Sequence, residues 1–259
     1  MSEELVSIII PLYNKKKYIK ETIENIKKQT YKNWELLIVD DCSNDGSYEI
    51  AKSYQSNKIH VLRNNQNSGP AITRNAGLEH ARGRFICYQD ADDLWEESKT
   101  EKQVEFMKKE NCAFSYTAFK YMKNGETKTV KVQPQLKYEE ALKDTRILAN
   151  AIMFDMNKID KKLLEMPNVG AEDIATWWNI LKNGYTAYGI EEPLVYYRQI
   201  KKSASSNKIK SAKSRWKLYR NYEKFSYIKS LYYFMYYVFY AVVKRIWIWE
   251  RVLTWTWKY

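Results

Sequence analysis

An α/β fold, with a mostly parallel sheet flanked by helices and a C-terminal helical appendage, is predicted by three observations. Apolar strand-like runs alternate with amphipathic helix-like stretches through the first ninety residues. Three of those runs end on one rim in Pro11-Leu12-Tyr13-Asn14, Asp40-Asp41 and Asp90-Ala91-Asp92-Asp93. The charge is also split along the chain. Residues 1–198 hold 29 Lys and Arg against 29 Asp and Glu, whereas residues 199–259 hold 14 against 2, the whole of the +12 net charge.

In order, Leu5 to Pro11 reads as a buried strand stopped by Pro11. Asn14 is placed to cap a helix from Lys15 to about Gln29, whose apolar face is Tyr18, Ile19, Ile23 and Ile26. Trp34 to Val39 is a second strand. Ser43 to Ser47 is a turn, followed by a short helix to about Gln55. Lys58 to Leu62 is a third strand. Asn64 to Gly69 is a polar loop, after which Pro70 opens a helix through His80. Gly83 starts the strand that ends in the acids. This order implies parallel pairing through right-handed crossovers. Further on, the pattern gives a helix from Ser98 to about Lys109 and a hairpin of Ala113–Met122 with Thr127–Val132 around Asn124-Gly125. Next come a short helix over Tyr138–Lys143, a strand over Asn150–Phe154 and a helix over Ile159–Leu164. Glu172-Asp173 open a helix to Lys182 that Gly184 stops, with Asp173 a candidate N-cap, and Leu194–Ile200 is a last strand.

The acids of Asp90-Ala91-Asp92-Asp93 need a reason, because unpaired charges beside a core are costly. Spacing alone admits two readings. One is a site for Mn²⁺ or Mg²⁺, hard cations that bridge carboxylates to phosphates. The other is an acidic turn with Asp93 as the N-cap of the next helix. Ligands of open parallel sheets bind outside the carboxyl ends of the strands, and the acid rim lies there. No Gly-x-Gly-x-x-Gly follows the first strand, which argues against a dinucleotide, and no P-loop sequence is present. Three cysteines without close pairing and two histidines give no zinc constellation and suit a reducing cytoplasm. The acidic N-terminus leads straight into a strand, so no signal peptide is expected.

Four blocks then carry a resemblance. They are Val6 to Asn14, Ile38 to Ser47, Asn67 to Gly77, and Asp90 to Asp93, extended by Glu172-Asp173 and Pro193 to Arg198. Together, over about residues 4–205, they resemble the inverting family 2 glycosyltransferases of the GT-A fold. The resemblance implies a catalytic domain over 1–205 that moves a single sugar from a nucleotide donor, expected to be a UDP-sugar, to a glycan or lipid-linked acceptor. That activity belongs to cell-surface polysaccharide or lipooligosaccharide synthesis. It implies Pro11 and Tyr13 at the nucleobase, Asp41 on the uracil with Asp40 beside it, and Arg74 near the nucleotide. Asp90, Ala91 and Asp92 stand at its Asp-x-Asp motif, with Asp92 as metal ligand and Asp90 on the donor side. Asp93 would lie at the sugar or behind the metal. Asp173 matches the family's general base, with Glu172 beside it. Trp178, one turn on, is read from its spacing as a candidate floor of an acceptor site, with packing the commoner role of such a tryptophan. The chain departs from the family at Ile200-Lys201-Lys202, where a histidine is often found, and it lacks the Gln-x-x-Arg-Trp of processive synthases.

The remaining stretch, residues 206–259, is basic and aromatic, with thirteen Phe, Trp or Tyr in the 33 residues from Tyr227. Its uncharged run, Ser230–Val243, is 14 residues, short of the roughly 20 a membrane span needs. A helix lying in the membrane surface is expected, which places the protein in the cytoplasm against the inner face of the plasma membrane. Packing on the catalytic domain or across a homodimer is the alternative. The electroneutral body speaks against nucleic acid. A nucleotidyltransferase, or a non-catalytic glycan- or membrane-binding module on the same fold, is the competing function.

Overall fold

In the computed structural model, which describes residues 4–123, 126–143, 147–199 and 208–249, the expected alternation forms one sheet. The amino-terminal half comprises β1 (Val6–Leu12), α1 (Ile19–Lys27), β2 (Trp34–Asp40), α2 (Ser47–Lys52), β3 (Ile59–Arg63), α3 (Gly69–His80) and β4 (Phe85–Tyr88). Then follow β5 (Leu94–Trp95), α4 (Lys99–Lys109), β6 (Phe114–Lys123), β7 (Glu126–Val130), β8 (Gln135–Leu136) and α5 (Tyr138–Lys143). The rest is β9 (Ile152–Asp155), α6 (Glu172–Lys182), β10 (Ala187–Arg198), α7 (Lys208–Lys217) and α8 (Tyr227–Trp249), with one π-helical turn, Leu218–Tyr222, between the last two.

The sheet order is β3-β2-β1-β4-β9-β6-β10-β5. β3, β2, β1 and β4 run parallel, and β9 is antiparallel to both β4 and β6. The parallel strands read as continuous apolar runs because both faces are covered. Ile9 and Leu37 face one core, while Ile8, Ile10, Leu36 and Ile38 face the other. α3 sits close on β1 at Gly77, where an added Cβ would meet Ile9 Cγ2 at 2.4 Å. Any larger residue there would push the helix off the strand that leads into the acid rim.

Several local expectations shift. Asn14 does not cap α1. It takes a left-handed φ of 50°, its side chain accepts from the Asn44 amide, and the helix begins at Ile19. Asp93 is no N-cap either, since Leu94–Trp95 pair with β10 before α4 starts. Only Lys161–Leu164 of the expected 159–164 helix coils, as a 3₁₀ turn. β10 starts seven residues early and crosses Glu191-Glu192-Pro193 through register shifts against β6, which let the ladder pass a proline. Ile200, Lys201 and Lys202 lie outside the described residues.

The carboxyl-terminal helices pack on the body. Tyr219 is fully buried, stacks on Trp178 at 5.1 Å and donates to the Leu142 carbonyl at 2.6 Å. Tyr233 of α8 stacks on Tyr219 at 6.0 Å and bonds Glu139 of α5. The Arg215 guanidinium is held between the rings of Trp178 and Tyr237, 5.0 Å from each centroid. Such cation–π pairs are worth most when desolvated, and Arg215 is buried.

Candidate active site

The site grows from the carboxyl ends of β1, β2 and β4, the start of α3 and the start of α6. Pro11 pairs with Val39 and Leu12 with Asp40, so Tyr13 and Asp41 emerge side by side. Tyr13 is exposed on the rim. Asp41 is buried and capped onto α3. Its Oδ1 accepts from the Ser68 amide and from Asn64 Nδ2, and its Oδ2 from the Gly69 amide, each at 2.8 Å. A carboxylate at a helix start is favoured by the orphan amides and the dipole there. Three bonds leave this carboxylate spare acceptor capacity. Asp40 points elsewhere. It is fully buried, accepts from the Ser43 amide and pairs with Arg63 at 3.2 Å, so it braces β3 and does not line the cleft.

Arg74 joins the two halves. It is nearly buried on α3, and its guanidinium donates to Asp90 at 3.0 Å and to Glu172 at 2.8 Å. The next residue, Asn75, exchanges two 2.8 Å bonds with the backbone of Met166, fixing the segment that leads to α6. At Ala171 the backbone turns left-handed (φ 64°), and Glu172 and Asp173 follow in the first turn. Asp173 is therefore not the N-cap. It lies deep yet keeps an open face. Its pKa is pushed up to about 6, first by burial and then by the charge of Glu172, with Asp90 adding and Arg74 opposing.

The acid loop after β4 divides. Asp92 is paired with Lys15, a residue the sequence reading gave only to a helix start, although Lys15-Lys16-Lys17 beside an acid rim was a legible signal. Burial raises the Asp92 pKa and the neighbouring Asp90 charge raises it further, against the pull of Lys15. Ala91 is buried, and its carbonyl accepts from Thr22, so it spaces the two carboxylates and offers no side chain to a donor. Asp93 departs from expectation. It is buried, with Oδ1 on the Arg198 amide at 2.7 Å and Oδ2 on Asn150. It ties β10 and the Ala149–Ala151 turn to the loop rather than facing the cleft; Asn150 as its holder could not be foreseen from sequence. Trp178, expected to floor an acceptor site, has no exposed surface, lies under Tyr219 and Arg215, and gives its indole N–H to Ala141.

Asp90, Asp92, Glu172 and Asp173 thus form one electrostatic group with Arg74 and Lys15 as counter-charges, leaving carboxylates in excess. The family 2 glycosyl transferase model matches residues 7–164, which take in β1 through the acid loop and β9. The chain belongs to glycosyl transferase family 2. It is 41% identical over 248 residues to TuaG of Bacillus subtilis (strain 168), whose name assigns it provisionally to teichuronic acid biosynthesis as a glycosyltransferase, covering 93% of this chain and 98% of TuaG. It is 33% identical over 247 residues to the Escherichia coli UDP-Glc:α-D-GlcNAc-diphosphoundecaprenol β-1,3-glucosyltransferase WfgD, covering 95% and 96%. Its fold also matches two solved structures. One is Staphylococcus aureus TarS 1–349 with UDP-GlcNAc, at a TM-score of 0.66 and 22% identity over 78% of this chain and 60% of that one. The other is the mannosyltransferase PcManGT of Pyrobaculum calidifontis with GDP-Man and Mn²⁺, at 0.66 and 21% over 87% and 66%. The predicted GT-A α/β class is thereby borne out for this family 2 chain.

Proposed function

We propose that this glycosyltransferase moves one sugar, with inversion, from a UDP-sugar to a lipid-diphosphate-linked or glycan acceptor in cell-surface polysaccharide synthesis. The observation that carries the reading is the Arg74 bridge, which holds the donor-side Asp90 and the Glu172-Asp173 pair at one cleft. Two relatives, WfaP and WfgD, are named for UDP-Glc donors and a GlcNAc-diphosphoundecaprenol acceptor, which supports both substrate classes.

Tyr13 and Pro11 flank the nucleobase, and Asp41 accepts from its imide with the lone pair that α3 leaves unused. Asp173 takes the proton of the acceptor hydroxyl. A base poised near its working pH suits that task, and the raised pKa brings Asp173 there. One base suffices for a single displacement, unlike the two carboxyl groups of a glycosidase. Arg74 positions Asp90 and keeps Glu172 from competing for the proton.

The donor set fits a divalent cation. Asp90 and Asp92 are hard oxygen ligands in a group of four carboxylates that has only Arg74 and Lys15 as partners, and Mg²⁺-type sites commonly use one or two carboxylates plus substrate phosphates. No group of three metal-ligating side chains occurs among the described residues, in keeping with a site that substrate completes. Asp92, with Asp90, would hold the ion, and when bound it would offset the charge of the leaving diphosphate. Lys15 supplies positive charge at the same carboxylate.

The outer face of α8 supports peripheral attachment to the membrane. Ile228, Leu231, Tyr232, Met235 and Phe239 stand exposed at helical spacing, and no described helix is long and apolar enough to cross a membrane. Lys210, Lys213, Lys217, Lys224 and Lys229, on α7 and around the start of α8, are positive charges that anionic lipid would attract. Because Tyr233 is part of the core, cutting off residues 226–259 would uncover Tyr219. Glutamates at Leu231, Met235 and Phe239 are the cleaner test and should move the protein from vesicle pellet to supernatant; an unchanged pellet overturns the attachment.

The transferase reading is tested by a nucleotide-sugar panel with Mn²⁺ or Mg²⁺, reading released nucleoside diphosphate with and without a GlcNAc-α-diphosphoryl alkyl acceptor. Acceptor-dependent UDP release is expected. Failure with every donor and acceptor overturns the reading.

A further inference from the structure

Beside the base lies a cavity that none of the roles above uses. It is a half-open pocket of about 310 Å³ between the segment before α6 and the end of α7 with the turn that follows it, lined by Val169, Gly170, Ser214, Lys217, Leu218, Asn221 and Tyr222. Two elements 44 residues or more apart in sequence build it. Their close approach depends on Gly170, where a Cβ would stand 2.7 Å from Ser214 Oγ. Val169 and Leu218 are its apolar lining, and Ser214, Lys217, Asn221 and Tyr222 bring polar groups. Leu218 is buried, so this side is seated on the core, while Lys217 is exposed.

The position matters more than the lining. Gly170 is three residues before Asp173, so the cavity floor and the base are within about 11 Å along the backbone. That is the scale of a sugar ring with its anomeric substituent. An acceptor of that length with its hydroxyl at Asp173 is long enough to set its far end in this cavity. From the same turn the chain enters α8, whose outer face is apolar. Base, lysine-lined cavity and apolar helix thus follow one another along the chain, in the order of hydroxyl, anionic link and lipid.

We infer that this cavity is the subsite for the acceptor's diphosphate, with Lys217 as its cationic contact and Ser214 as a hydrogen-bond donor. The inference rests on the lipid-diphosphate acceptor proposed above and names the residues that select for it. Lysine is a common phosphate binder as a point charge, and a charge-assisted bond of this kind separates phosphorylated from neutral ligands.

The test compares two acceptors, a GlcNAc-α-diphosphoryl alkyl chain and the same alkyl α-GlcNAc glycoside without the diphosphate. Wild-type protein should favour the first in kcat/KM. Lys217→Ala should cut that preference about tenfold, the scale of one charge-assisted hydrogen bond, chiefly through KM, and Lys217→Arg should restore most of it. Calorimetry with the alkyl diphosphate alone gives a second readout that needs no transfer. Binding that weakens in Lys217→Ala supports the subsite even where neither sugar acceptor is used, in which case the acceptor sugar is what fails. An unchanged preference together with Lys217-independent binding of the alkyl diphosphate overturns the subsite and leaves the transferase reading standing. Gly170→Val, which drives a side chain at Ser214, should reproduce the loss of preference.

Discussion

The two ends of the parallel strands carry buried carboxylates in opposite condition. At the amino end, Glu35 accepts from Ser7 Oγ at 2.6 Å, from the Arg82 amide at 2.9 Å and from the Arg82 guanidinium at 2.6 and 3.0 Å. Burial would raise its pKa, but these bonds hold it below the usual range. Close by, Arg84 grips Asp155 through two 2.9 Å bonds. Around the carboxyl end, Asp92 with its Lys15 partner and Asp173 with the Ile174 amide are still pushed up, by burial first and then by neighbouring acids. The same strands therefore end in a satisfied network on one side and a cation-poor one on the other. A satisfied network holds the fold; a deficient one is where a cation, a phosphate or a proton has work to do.

The largest expected effect lies at the deficient end. Asp173→Asn should lower kcat by about a thousandfold, within the range of a lost general base, while UDP-sugar affinity by calorimetry stays near wild type. It should also raise the thermal midpoint by a few degrees. A raised carboxyl pKa means the folded protein holds its proton longer than the unfolded chain, so this group's contribution weakens as pH rises from about 4 to about 6. The neutral amide removes that loss. Full transfer by the variant would remove Asp173 from the mechanism.

Next in size is the satisfied end. Glu35→Ala should cost about 3 kcal/mol in urea unfolding, from lost charge-assisted bonds and an unfilled site, with kcat per folded molecule unchanged. Because its folded pKa is lowered, wild-type stability from Glu35 is present above the unfolded glutamate pKa and is lost as pH falls. The two ends should thus give opposite slopes of stability against pH. A drop in kcat for Glu35→Ala would erase the contrast.

Asp92→Asn should then weaken Mn²⁺-dependent donor binding roughly tenfold, on the scale of one charged contact, and leave any metal-independent binding intact. Identical metal titrations for variant and wild type would take Asp92 out of the metal site.

The smallest effect is on the pH profile. Transfer should fall below an inflection near pH 6, as Asp173 gains its proton in the company of Glu172, Arg74 and Asp90. Glu172→Gln removes a neighbouring negative charge, so the inflection should move to lower pH; movement to higher pH would contradict the cause given for the shift.

What the sequence made legible was the rim. Apolar runs ending in Pro11–Asn14 and in acids gave β1, β2 and β4, and the parallel order then gathered their ends. Contacts between distant residues were not legible. Arg74 and Glu172 are 98 residues apart, and no local pattern assigns them to one another. Asp90, Asp92 and Asp93 look alike in the chain, yet only the fold turns Asp93 inward to Asn150 and Arg198. The aromatic tail was ambiguous for a related reason. A tyrosine suits a core and a membrane surface equally, and burial alone separates Tyr219 and Tyr233 from the exposed Tyr227 and Tyr232.

The Arg74 bridge also bears on how such enzymes can be recombined. The shared family segment ends at residue 164, eight residues before Glu172. A chimera joined at that seam would take the arginine from one parent and its glutamate from the other. A second segment that lacks an acid there would leave a desolvated guanidinium with Asp90 as its remaining ion-pair partner. Recombination among relatives is therefore constrained at this crossing: the segment that carries the arginine and the one that carries the glutamate have to be chosen as a matched pair.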